Sequence, residues 1–467
     1  MENFWDFKVW GGLHVFAILL LSLLLANMLK RLIKPLRNST IPISVLGGLL
    51  IMVTSGAFRA ITGAVMFDTA FFGGNGTANL EIITYHTLAL GFIASTFKAS
   101  KGKLSKKRTG EIFNTGVTTV STYLLQGVVG LGVTILTGFL ISGFFTGGGI
   151  LLPFGYGQGS GQAMNYGNIF EIEYGFEGGK SFGLAIAALG FLSASLGGVI
   201  HLSILKRRGR KVGGAEKSGM DGSQVEKEDE IPMQGSIDKL TVQVALVIVA
   251  YLVTYLVIYL LGIALPGLRS VIYGFNFLIG VLLATAMKGI ITSMHKKGVI
   301  GRQYINDFLM TRVSNFFFDI MVVAGIAAIR LEVLAQYWVI LLILGVVGLV
   351  ITYAYNRFVA KVLFPEYVEE QFLAMYGMLT GTASTGVILL RELDGDFETP
   401  AADNLVYQNF PAIVFGFPMM FLATMAPAKP VLTMIILAAF FLVMNVVLFR
   451  AQIFRRKKKD AGKPEEK

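Results

Sequence analysis

The residues best placed to do chemistry lie in Phe154–Asn165, which reads FGYGQGSGQAMN. Gly155, Gly157, Gly159 and Gly161 alternate with other residues, and Gln158, Ser160, Gln162 and Asn165 supply amides and a hydroxyl. Each glycine inside a helix costs about 1 kcal/mol relative to alanine, while glycine takes left-handed backbone angles freely. A helix interrupted in this way offers free backbone N–H and C=O groups beside neutral polar side chains. That chemistry is non-covalent binding of a small polar or ionic ligand. Close helix packing also uses glycine, but at a spacing of four and without added Gln or Asn. A phosphate loop is excluded, because no Lys-Ser/Thr pair follows and no strand precedes. A second polar stretch carries Thr380, Gly381, Thr382, Ala383, Ser384, Thr385 and Gly386. Its hydroxyls can serve a carboxylate or a sodium ion, or bond back to their own helix.

Single residues add less. Asp319, in NFFFDIMVVAG, is a carboxylate inside an apolar run, a placement that costs at least ~2.5–3.5 kcal/mol at the membrane centre. It either couples an ion, with Asn315 one turn earlier, or reaches water or pairs with Arg312. Thr380 is a further candidate ion ligand. His86 reads as an interfacial residue with satisfied hydrogen bonds rather than a proton relay. Glu171 and Glu173 are expected in outer water. Arg391, beside Glu392, pairs either a substrate carboxylate or a surface partner. Trp5 and Trp10 suit the interfacial aromatic belt. Arg455–Lys459 suits contact with anionic membrane lipid.

The elements that must hold these residues follow from composition. The chain has 467 residues, 54% hydrophobic and 15% charged, against about a quarter charged in soluble domains. Apolar runs near the ~20 residues needed to cross a bilayer occur at 11–30, 41–63, 80–99, 112–142, 180–205, 238–262, 270–290, 306–330, 334–360, 404–426 and 431–452. The expected class is an all-α polytopic membrane protein with eleven crossings. No cleavable signal peptide is expected, since the first apolar run is long and lacks a small-residue cleavage site. Absence of Cys excludes disulfides, thiolate metal sites and cysteine catalysis. The net charge of +11 resides largely in loops, so nucleic acid is not an expected partner.

Basic loops after the first, third, fifth, seventh, ninth and last spans are cytoplasmic by the positive-inside rule. The alternation is consistent with the N-terminus outside and the C-terminus inside, in a cell membrane. It requires that the two interrupted segments, 146–170 and 370–392, enter and leave on one face. Five spans precede a polar linker at 206–237, and the same order recurs over 238–428. Gly155, Gly159, Ser160 and Gly161 align with Gly377, Gly381, Thr382 and Ala383 at one constant offset. The expectation is two inverted five-helix repeats, 1–205 and 238–428, each with a re-entrant hairpin, followed by an additional C-terminal transmembrane helix and basic tail in 429–467. Inverted repeats with broken helices at the midplane are a design of secondary transporters, where helix N-termini attract anions and free carbonyls hold cations.

IPISVLGGLL at Ile41–Leu50, the stretch Tyr156–Phe176 and GMLTGTASTG at Gly377–Gly386 together resemble the sodium/glutamate symporter family, over most of the chain from about the first span to the tenth. The resemblance implies two inverted halves with re-entrant hairpins, an elevator-like motion, a likeness to dimeric transporters, Na⁺ as coupling ion and a small anionic amino acid, glutamate, as substrate. Two departures stand out: the order Phe-Gly-Tyr-Gly-Gln-Gly-Ser-Gly in place of a paired-glycine motif followed by Gly-Thr, and the eleventh helix. The candidate substrate residues are then Gly157, Gln158, Gly159, Ser160, Gly161, Gln162, Asn165, Gly381, Thr382, Ala383, Ser384 and Thr385. The candidate ion residues are Asp319, Asn315 and Thr380. Glycine-dense LALGFIAS and ALGFLSASLGG are expected to permit sliding between a transport domain and a scaffold. Alternatives are transport of a di- or tricarboxylate or another amino acid with Na⁺ or H⁺, or a passive channel. No enzyme is expected: the chain lacks a zincin helix and a nucleophile elbow, and its four histidines are scattered.

Overall fold

The computed structural model describes residues 3–37, 41–97, 106–210, 212, 230–233, 237–266, 269–274, 276–394 and 398–453. Among them there are helices and one isolated bridge, Glu230 with Gln303, but no strand. Long apolar runs leave the backbone no polar partner except itself, and a helix satisfies every interior N–H and C=O within one segment. The first half runs α1 (Phe7–Leu32), α2 (Lys34–Arg37), α3 (Ile43–Thr62), α4 (Gly76–Thr96), α5 (Lys106–Leu140), α6 (Leu151–Pro153), α7 (Ser160–Tyr174) and α8 (Gly179–Arg207). The second runs α9 (Lys239–Ala264), α10 (Arg269–Gly274), α11 (Asn276–Lys296), α12 (Asp307–Ala327), α13 (Leu331–Leu363), α14 (Val368–Thr380), α15 (Ala383–Arg391), α16 (Ala401–Tyr407) and α17 (Asn409–Met425), and α18 (Pro430–Leu448) closes the described chain. Caps mark some starts: the Asp238 side chain accepts from the N–H groups of Leu240 and Thr241, and that of Asn306 accepts from Leu309.

Nine of the described helices are long and apolar enough to cross a membrane: α1, α3, α5, α8, α9, α11, α12, α13 and α18. The third expected span is also one helix, α4, of 21 residues. Thr77, Asn79, Glu81, Thr84 and His86 make it too polar to stand with the nine. The tenth is α16 followed by α17, whose run Pro411–Met425 is apolar but short.

Both interrupted segments fold as two limbs joined at a tip. In the first, Thr146–Ile150 and α6 lead into a π-helical turn, Phe154–Gln158, that ends at Gly159 before α7 begins. The limbs fold back on each other, with Phe154 stacked on Tyr166 at 3.9 Å between ring centroids. In the second, α14 ends at Thr380 and α15 begins at Ala383. A Cβ built on Gly386 would lie 2.4 Å from the Ala374 carbonyl oxygen, so the limbs touch through backbone.

Two features differ from expectation. The 206–237 segment was expected to be a flexible linker; most of it lies outside the described residues, but its end is docked. Glu230 is buried and holds the fully buried Lys239 Nζ at 2.9 Å and the Asn306 amide at 2.6 Å. Charges that leave water this completely persist only when paired, and here the pair pins the starts of α9 and α12 together. Second, the glycines of Leu88–Ser95 and Ala188–Gly198 admit close neighbours. A Cβ on Gly91 would meet the Phe318 ring at 2.7 Å, on Gly190 the Thr380 carbonyl at 2.5 Å, and on Gly197 the Tyr376 hydroxyl at 2.1 Å. α8 thereby packs against the second broken segment, and at Gly190 also against the first, where a Cβ would lie 3.1 Å from the Tyr156 ring. A polar cluster fastens its far end: His201 Nε2 lies 2.8 Å from Glu369, whose other oxygen meets Arg357 at 2.5 Å, and Arg210 reaches Glu370 at 3.1 Å.

Candidate functional site

The two tips meet. A Cβ on Gly159 would touch the Thr382 methyl at 3.6 Å and the Met321 methyl at 3.8 Å. Gly159 has φ 87° and ψ 178°, a region open essentially to glycine alone. That turn ends the π-helical piece and lets α7 start afresh, with its first N–H groups and positive dipole end at the tip. α15 starts at the opposing tip after Thr382, whose backbone is extended with φ −142° and ψ 171°. Ser160 and Gln162, in the first turn of α7, are buried, and Ser160 Oγ and Gln162 Oε1 have no hydrogen-bond partner. A buried polar atom without a partner costs about 1–3 kcal/mol, so two beside a broken helix mark where a ligand or water belongs.

α5 serves both tips. Its Tyr123 hydroxyl donates to the Gly157 carbonyl at 2.9 Å, and its Gln126 amide donates to the Leu379 carbonyl at 3.0 Å. Gly157 and Leu379 stand at the offset that aligns the two polar stretches. Two side chains nearly one turn apart thus cap corresponding carbonyls of the two segments. Tyr156 Oη bridges Ser193 of α8 and the Gly345 carbonyl of α13 at 2.8 and 2.6 Å, and the Tyr376 hydroxyl donates to the Ser193 carbonyl at 2.7 Å. The tips are therefore clamped among α5, α8, α12 and α13.

The expected site residues divide into groups. Gln158, Thr382 and Ala383 are accessible at the lips, while Ser160, Gly161, Gln162, Gly381, Thr380 and Thr385 are enclosed. Gly157 and Gly161 face filled space, since a Cβ there would strike the Tyr123 ring at 2.0 Å and Leu88 at 2.8 Å. Their absent side chains let α5 and α4 approach. Asn165 is turned to the Gly274 carbonyl of α10 at 3.2 Å. Thr380 Oγ1 donates to the Tyr376 carbonyl at 2.6 Å, within its own helix. Thr382 and Thr385 hydroxyls are 3.4 Å apart. The Ser384 side chain lies outside the described ones. Asp319 and Asn315 share an exposed flank of α12, with Asp319 beside Ser44 of α3. No described contact joins them to the tips. Arg312 stacks over Phe308 instead, 4.9 Å from its centroid. Glu171 is half-buried and accepts from the Lys180 N–H and from Arg330.

Sequence reasoning missed Tyr123, Gln126, Thr352 and Asn356. Their signal was present: Thr115, Thr119, Thr122 and Gln126 recur at helical spacing inside an apolar span, and polar groups at membrane depth face protein or a cavity. Among the described residues, no cluster of three or more His, Asp or Glu could hold a tightly bound metal. The site is neutral, built of hydroxyls, amides and helix ends.

Nine described helices long and apolar enough to cross a membrane, with two broken helices whose tips approach each other, fit a multi-pass membrane protein. The sequence pattern of the family described as "Sodium/glutamate symporter" matches residues 11–368, and the chain belongs to that family. The match ends at Val368, the first residue of α14, before the second broken segment reaches its tip. A comparison with curated proteins returns no match. The family is one of transporters rather than enzymes, and it implies Na⁺ as coupling ion and a small substrate such as glutamate.

Proposed function

We propose that the chain carries glutamate, or a closely related anionic amino acid, across the cell membrane together with Na⁺. The observation that carries this reading is the meeting of Gly159 and Thr382 beside unpartnered Ser160 Oγ and Gln162 Oε1. The starts of α7 and α15 direct N–H groups and positive dipole ends to carboxylate oxygens, hydroxyls of Ser160 and Thr382 donate, and an amide oxygen accepts from the ammonium group. Charge is matched by dipoles rather than by a fixed cation, so desolvation on binding stays modest and release remains feasible.

In this reading the chain is two inverted repeats, 1–205 and 238–428, and each broken segment is a re-entrant hairpin, one entering from each side. The N-terminus is outside, the C-terminus is cytoplasmic, and residues 429–467 add a helix and basic tail. α7, α8, α14 and α15 travel together as the carrier of an elevator cycle, because α8 packs at Gly190 against both Thr380 of the second segment and Tyr156 of the first. The protein works as a homodimer in lipid. Labelled glutamate uptake into proteoliposomes is the test. Accumulation that ignores an imposed Na⁺ gradient rejects the coupling, and equal competition by dicarboxylates lacking an amino group rejects the amino-acid assignment.

A further inference from the structure

Behind the second tip, α5, α13 and α14 pack around a group of fully buried neutral oxygens. Gln126 of α5 and Asn356 and Thr352 of α13 have no exposed surface, and neither has Thr122, one turn before Gln126. Both amides have committed their N–H groups. Gln126 Nε2 donates to the Leu379 carbonyl at 3.0 Å and to the Thr352 hydroxyl at 2.8 Å. Asn356 Nδ2 donates to the Thr352 carbonyl at 2.9 Å and to the Thr122 hydroxyl at 3.4 Å. A carbonyl only accepts, so the nitrogens are fixed where they stand and the oxygens must point elsewhere. Gln126 Oε1 and Asn356 Oδ1 have no partner. Two amides bracket the same threonine, and both leave an oxygen bare.

The third wall is the end of a helix. α14 terminates at Thr380, where the last carbonyls lack intrahelical partners and carry the negative end of the dipole. Acceptors therefore predominate: two amide oxygens, two threonine hydroxyls and a helix C-terminus. Such a set suits a hard cation that takes oxygen ligands and carries one charge. A divalent ion would call for carboxylates, and none is among these groups.

We infer that Gln126 Oε1, Asn356 Oδ1 and the Thr122 and Thr352 hydroxyls, with the carbonyl end of α14, hold a sodium ion. The inference rests on the proposed sodium coupling and places an ion apart from Asp319 and Asn315. An ion here ties α5 and α13 to the second tip through Leu379, so its arrival orders that tip for substrate and its loss frees it.

The test uses the full-length protein with NaCl against choline chloride, read in two ways. The first is the Na⁺ concentration giving half the maximal thermal stabilisation in detergent without glutamate. The second is the Na⁺ concentration giving half-maximal uptake in proteoliposomes. Gln126→Ala and Asn356→Ala should raise both at least tenfold. Asn356→Asp keeps an oxygen and adds charge, so it should hold or lower the Na⁺ requirement; Thr352→Val should raise it, and these two decide if an alanine variant does not fold. Folded alanine or valine variants with the parent's Na⁺ requirement, or an Asn356→Asp variant with a raised one, overturn the site and assign the oxygens to buried water. A parent protein that shows no Na⁺ response in either readout overturns the sodium reading as a whole.

Discussion

Replacing Gly159 by alanine tests the meeting of the tips most directly. The backbone there has φ 87° and ψ 178°, and forcing a residue with a Cβ into that region costs about 1–3 kcal/mol. The added methyl itself has room: its nearest neighbours would be the Thr382 methyl at 3.6 Å and the Met321 methyl at 3.8 Å, ordinary van der Waals distances. The penalty is therefore conformational. In the unliganded protein the tip can relax to another angle and turn the first N–H groups of α7 aside. Binding must then restore the original turn, and the strain is charged to the substrate. At a factor of ten per 1.4 kcal/mol, glutamate half-saturation should rise about five- to 150-fold. The assay is initial uptake rate against glutamate concentration in proteoliposomes at fixed Na⁺. Gly143→Ala is the control: it has φ +79° and nothing within 4 Å of the added atom, but lies in the loop after α5. It should cost stability and leave half-saturation unchanged. If Gly159→Ala keeps the parent value, or Gly143→Ala shows the same rise, the tip geometry is not the binding geometry.

Three other outcomes follow from particular contacts. Gly190→Ala places a methyl 2.5 Å from the Thr380 carbonyl, so overpacking of about 1–3 kcal/mol should lower the melting temperature and impair uptake; an unaltered protein would show that α8 does not seat the second tip. Arg357→Ala leaves Glu369, mostly buried and 2.5 Å from the lost guanidinium, with one fewer partner. Stability should fall by up to about 3–5 kcal/mol, and adding Glu369→Gln should recover part of it in thermal unfolding; no recovery means the loss was packing alone. Asp319→Asn removes a charge from the exposed flank of α12. If Asp319 is an ion ligand, the Na⁺ concentration for half-maximal uptake should rise about tenfold or more, a direction set by the loss of one charge at an intramembrane site; an unchanged requirement rules out a role in ion coupling.

Much was legible before any coordinates. Hydrophobic run length alone placed ten of the helices, because a bilayer sets that length physically. Glycine alternation at Gly155–Gly161 located the first tip, because only glycine makes that turn without strain. The constant offset to Gly377–Ala383 located the second. Other assignments were not legible. Asn165 looked like a ligand residue but reaches α10, and Gly157 and Gly161 looked like backbone left free for substrate but receive Tyr123 and Leu88. Nothing local distinguishes a glycine that admits a ligand from one that admits a neighbouring ring.

The sequence by itself determined which segments are helices and where two of them break, since chain composition and backbone angle preferences are local properties. Tertiary structure alone decided that Gly159 faces Thr382, that Tyr123 and Gln126 cap corresponding carbonyls, and that the oxygens of Gln126 and Asn356 are left bare. Those facts depend on which helix faces which across the fold, between residues from 34 to 253 positions apart, and no local pattern carries that distance.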